Sequence, residues 1–209
     1  MSFSLLRGAL AAVALLAAGA ADASVIFSNG APDGTQGGAI MNQGYAAQIL
    51  IPVAANANAT SIDLAVWVAS GATPTSVDWA FSQSQGAGNL PDEGTASLTN
   101  VSFLDTFNGF DVYTGTISTP QALAAGTWYL TLQNAVASDA GDMFLDINTT
   151  GSQSTYVYCC GSLYQTDGPG SVTVNGSIAA PEPAVWALMI LGVGFVGAGL
   201  RLRKLVRPA

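Results

Sequence analysis

Hydrophobic and polar residues alternate through the middle of this chain with a period of two. That is the repeat of a strand that buries one face and wets the other. Between Thr60 and Ser70, Ile62, Leu64, Val66 and Val68 point one way, while Ser61, Asp63, Ala65, Trp67 and Ala69 point the other. The run 76–82 repeats this with Val77, Trp79 and Phe81 against Asp78, Ala80 and Ser82, and the run 126–134 with Trp128, Leu130 and Leu132. Shorter runs suited to strands lie at Ala46–Val53, Val101–Phe103, Phe110–Ile117, Met143–Ile147, Thr155–Tyr158 and Ser171–Val174. Turn-forming residues separate them at 29–38, 70–76, 86–94 and 166–171. Segment 119–127, TPQALAAGT, predicts one short helical turn that crosses between sheets. About nine strands at this spacing predict an all-β fold, an antiparallel β-sandwich with jelly-roll or Greek-key connections.

The two ends follow other patterns. Residues 1–23 carry one base, Arg7, then an apolar run from Ala9 to Ala18, then Ala21-Asp22-Ala23. This is the layout of a secretory signal peptide, with cleavage by signal peptidase expected between Ala23 and Ser24. The apolar run is too short to span a bilayer comfortably. At the other end, Ala184–Leu200 is apolar or glycine throughout. Its length of about 17 residues, extended to about 19 if Arg201 snorkels, just covers a hydrocarbon core as a helix, predicted over 184–202. The predicted domains are therefore a signal peptide at 1–23, an extracytoplasmic sandwich at 24–180 and a tail at 181–209.

Charge sharpens this division. Of 209 residues, 13 are acidic and 5 basic, with no histidine and a net charge of −8. The five bases are Arg7, Arg201, Arg203, Lys204 and Arg207, so nothing from Gly8 to Leu200 carries positive charge. A body without a cation repels phosphate backbones, which excludes nucleic acid as a partner. The cluster Arg201, Arg203, Lys204 and Arg207 marks the cytoplasmic end of the predicted helix, leaving the body in the periplasm before processing.

The same composition removes most catalytic machinery. A Ser/His/Asp triad, a His-ligated zinc, a Schiff-base lysine and a phosphate clamp are all impossible without His, Lys or Arg. Paired carboxylates remain, as a glycosidase would use them. The body's one glutamate, Glu93, sits beside Asp92 in a turn, and its aspartates read as solvated charges in loops or on wet strand faces. The expectation is a protein that is not an enzyme.

A hard cation is the one cofactor the body could take. Asp139, Asp142 and Asp146 fall close together, with Asn148 following, and loop carboxylates suit Ca2+, although the spacing is not that of an EF-hand. Asp33 or Asp167 could equally contribute. Cys159 and Cys160 are adjacent, and an oxidising compartment leaves open a vicinal disulfide, an intermolecular bridge or two inert thiols. Tyr156, Tyr158 and Tyr164 around them could stack on sugar rings or pack at strand ends. Extracellular polysaccharide is accordingly the alternative partner.

The final segment, PEPAVWALMILGVGFVGAGLRLRKLV, resembles the PEP-CTERM sorting signal in its PEPxxWA variant. The resemblance covers about the last 29 residues: Pro181, Glu182, Pro183, Trp186 and Ala187, the glycine-studded apolar run, and the terminal basic cluster. Leu202, Leu205 and Val206 interrupt the basic residues, where the family more often has consecutive arginines. The resemblance implies that an exosortase of a Gram-negative bacterium processes the chain near Pro181–Pro183. The body would then pass to the cell surface or the extracellular matrix. An extended Pro-Glu-Pro, denied regular hydrogen bonding by its prolines, is accessible to such an enzyme.

Overall fold

The computed structural model describes residues 24–34, 36–86 and 94–179. The signal peptide, the sorting motif, the 184–202 helix and the basic cluster lie outside these residues, apart from Ser24. Among the described residues no helix is long and apolar enough to cross a membrane.

The described chain is all-β. It runs through β1 (Ser24–Ser28), β2 (Gln36–Ile40), β3 (Ala46–Val53), β4 (Ala57–Ala69), β5 (Pro74–Ser82), β6 (Gly94–Ser97), β7 (Thr99–Phe107), β8 (Phe110–Leu123), β9 (Gly126–Ala137), β10 (Phe144–Ile147), β11 (Thr155–Cys159), β12 (Ser162–Gln165) and β13 (Val172–Ile178). All pairings are antiparallel and build two sheets. The first centres on β4, which pairs along one edge with β8 and along the other with β13 and then β10. The second has the order β12-β11-β3-β9-β5-β6.

The apolar positions of the sequence alternation face the core, but their neighbours are not all wet: Ala65, Trp67, Asp78 and Ala80, on the opposite faces, are buried as well. Ile62, Leu64, Val66 and Val68 of β4 join Val77, Trp79 and Phe81 of β5 and Leu130 and Leu132 of β9 in one core between the sheets. Met41, Ile49, Ile51, Ile117 and Leu145 fill the remainder, each fully buried. Burying such side chains contributes roughly 1.5–3 kcal/mol apiece.

Two sequence readings are corrected. Segment 119–127 forms no helical turn: β8 runs on through Leu123, and β9 starts at Gly126 in the other sheet. The crossing between sheets is real, but two residues make it. Pro120 fits because the β4–β8 register slips between Ala59 and Ser61, so the ladder asks for no proline N–H. Residues 36–40 form a strand where the sequence reads as a glycine-rich loop. A Cβ on Gly38 would collide with Phe144 and the Leu145 carbonyl, so glycine lets β10 approach β2 closely.

β7 differs from every other strand. All nine of its residues are exposed, and it pairs with β8 alone among the described residues.

Candidate functional site

The expected metal set does not assemble. Met143–Ile147 is read as a strand, and β10 bears this out over Phe144–Ile147. Four residues of extended chain separate Asp142 from Asp146 by about 13 Å, too far to share one cation. Among the described residues no group of three or more His, Cys, Asp or Glu side chains could hold a metal ion.

Asp146 instead anchors a buried polar network, contrary to its reading as a loop ligand. It is fully buried on the outward side of β10. Trp67 Nε1 donates to Oδ1 at 2.6 Å, and the Ser171 hydroxyl donates to Oδ2 at 2.6 Å. Ser171 in turn accepts from Asn148 Nδ2 at 3.0 Å, and the same nitrogen donates to the Asn29 carbonyl at 2.9 Å. Asn29 Nδ2 donates to the Gln153 carbonyl at 2.8 Å, and its Oδ1 accepts the Gln153 N–H at 2.9 Å. Burial pushes the Asp146 carboxyl above the usual carboxylate range, against the pull of Ser171 and Trp67, and the nearby Asp33 charge adds to the rise. Asp146 has no exposed surface among the described residues. Phe107 and Phe110 lie edge-on or tilted against Trp67, and Phe110 packs against Phe144. These aromatic rings cap the outward side of β4.

Asp111, Asp78, Asp63 and Asp33 are held the same way, by neutral donors. Asp111 accepts from the Gly71 amide and the Thr106 hydroxyl, each at 2.8 Å, and from Ser70 at 3.3 Å. The Gly71 amide foremost, then Thr106, holds it below the usual range. Asp78 accepts from Thr95 and Asn134, Asp63 from Thr116 and Asn175, and Asp33 from the amide and hydroxyl of Thr149. The reading of these aspartates as solvated charges fails for Asp78 and Asp111 as it does for Asp146, since all three are buried.

Two surfaces could receive a ligand. A shallow cleft of about 280 Å³ lies over the outward side of the β4 sheet, lined by Ser28, Pro32, Asp63, Thr114, Ser171 and Thr173. The second surface is the outward face of the other sheet. Its register sets Tyr156, Gln48, Thr131 and Ala80 in one row, and Tyr158, Ala46, Gln133 and Asp78 in the next. Tyr129 and Leu50 make a third. Tyr156, Tyr158, Tyr129 and Gln133 are half-buried, with part of each side chain open to solvent. Gln48 is locked by Thr131 and by the Gly86 amide. Gln48 and Thr131 are fully buried, so the tyrosine rings and Gln133 are what this face offers a ligand, and aromatic rings of this kind suit neutral sugars better than ions.

The sequence grouped Tyr164 with Tyr156 and Tyr158, and the structure separates them. Tyr164 pairs with Val157, so it faces the other side of the sheet. Cys159 and Cys160 are joined as a disulfide at the tip of the β11–β12 hairpin. Cys160 and Gly161 both have positive φ, 57° and 79°, as the two central residues of a type I′ turn require. Cys159 is buried and Cys160 exposed.

No protein-family model matches this chain, and a search of curated proteins finds no match to it.

Proposed function

We propose that this chain is an exported, non-enzymatic sandwich protein, with jelly-roll or Greek-key wiring, destined for the cell surface or extracellular matrix. Signal peptidase removes residues 1–23, the 184–202 helix holds the chain in the inner membrane, and an exosortase then processes it near Pro181–Pro183. The observation that carries this reading is the partition of charge: every base lies at Arg7 or beyond Leu200, flanking an anionic body. The ordering of motif, apolar run and basic cluster at the extreme tail supports it. So does the fold, whose last strand ends at Ile178, just ahead of Pro181. The three buried carboxylates, Asp78, Asp111 and Asp146, are engaged with neutral donors, which favours a structural role for them over catalysis. Replacing Pro181, Glu182 and Pro183 with alanine should trap the full chain in the inner membrane of its native host. Unchanged release of the body would overturn the reading.

A second reading is favoured by the half-buried Tyr129, Tyr156, Tyr158 and Gln133 on the outward face of the β3 sheet: the released body binds a neutral extracellular polysaccharide. Binding on a glycan array that vanishes in the Tyr156→Ala/Tyr158→Ala double variant would support it. Binding that survives the double variant, or none at millimolar sugar, would retire it.

A further inference from the structure

We infer that the two turns at 42–45 and 139–142 form a site for one hard divalent cation, of the Ca2+ class. Asn42, Asp142 and Asp139 are its side-chain ligands. The site differs from the Asp139, Asp142 and Asp146 set read from sequence: Asp146 leaves it, and Asn42, 97 residues upstream of Asp139 in the chain, enters.

The register brings these residues together. Ile40 pairs with Phe144, and the Met41 amide donates to the Met143 carbonyl at 3.0 Å, both methionines being fully buried. Continuing that register by one residue sets Asn42 opposite Asp142, on the side away from the methionines. The chain then turns back at Gln43 and Gly44, with φ of 55° and 85°. Asn42 Nδ2 donates to the Gly141 carbonyl at 2.9 Å, which holds its carboxamide against the acidic turn. Asp139 Oδ1 accepts the Gly141 amide at 3.0 Å, so its carboxylate wraps the same residue. Gln43 Nε2 donates to Asp142 Oδ1.

One atom in this cluster has no partner. Asn42 Oδ1 is buried and accepts no hydrogen bond among the described residues, in a side chain only 8% exposed. A buried acceptor without a donor costs about 1–3 kcal/mol, and natural folds rarely leave one so. The amide cannot simply be reversed, because that would set oxygen against the Gly141 carbonyl. A cation held between the two turns would satisfy Asn42 Oδ1 and neutralise the Asp139 and Asp142 carboxylates that the same turns carry. No side chain can do the second task, since no base occurs between Gly8 and Leu200. Oxygen ligands of this kind, carboxylate and amide carbonyl from loops, with water completing the shell, are those Ca2+ selects.

Calorimetric titration of the full-length chain with CaCl2 tests this. Saturable binding with a Kd of about 0.1–1 mM, the range of extracellular Ca2+ modules, is expected. The affinity should fall about tenfold or more in Asp142→Asn, which keeps the shape and removes a ligand charge. Asp167→Asn, on a distant loop, should leave it unchanged. Absence of saturable heat, or equal weakening in both variants, would overturn the site and leave a buried water at Asn42. The outcome is independent of export and sorting.

Discussion

The body and the tail of this chain solve opposite electrostatic problems. Between residues 24 and 179 the body carries aspartate and no base, yet it buries Asp78, Asp111 and Asp146. It does so by aiming hydroxyls and amides at Asp78 and Asp111 and a hydroxyl and an indole at Asp146, where most proteins would supply a lysine or arginine. The tail carries nearly all the positive charge and, as read from sequence, spends it at one end of an apolar run. On the proposed export route, a body built this way would cross a membrane without cations to hold it back, and the tail would be what stops. Charge in the body would then be a packing matter, and charge in the tail a topological one.

The comparison breaks most visibly in the tail. Replacing Arg201, Arg203, Lys204 and Arg207 together with glutamine should abolish stable retention of the unprocessed chain in the inner membrane. Fractionation of cells lacking the processing enzyme checks this; full retention would show that the cations are dispensable.

In the body, the largest effect is expected at Asp146. Asp146→Ala strands the Trp67 indole N–H and the Ser171 hydroxyl in a buried site, at a cost of about 3 kcal/mol or more. Denaturant unfolding would measure it, and a loss below about 1 kcal/mol would show the network to be incidental. Asp111 sharpens the comparison through pH. Its folded-state acidity is strengthened by the Gly71 amide and the two hydroxyls, so its contribution is present above the unfolded carboxylate value of 3.8 and lost as pH falls through the lower folded value. Asp146 runs the other way: its raised folded value favours the protonated form, so stability is recovered as pH falls towards 3.8. Asp111→Asn should flatten the acid limb of the stability curve; an unchanged limb would place the acid sensitivity elsewhere. The smallest effect belongs to β7. Phe103 is 55% exposed, so Phe103→Ser should change stability by about 0.5 kcal/mol or less.

The central strands were legible because their side chains obey a local rule. β3 has the bounds read from the pattern, and β4, β5 and β9 send the expected residues into the core. β1, β2, β6 and β12 were not legible. Each has four or five residues, and β2 holds Gly38, which serves a close neighbour contact rather than a turn. The candidate metal set failed for a related reason. Proximity in sequence suggested Asp139, Asp142 and Asp146 as one set, but an extended strand carries every second residue away. The true partners of Asp146 stand 25 and 79 residues distant, at Ser171 and Trp67. A tryptophan on the polar side of the β4 alternation was the one available signal, since an indole there needs an acceptor.

The most direct test of the account is the intact mass of the protein recovered from its native host. The account predicts a chain that begins at Ser24 and ends near Pro181–Pro183, outside the inner membrane. An intact chain of 209 residues recovered from the cytosol would contradict it.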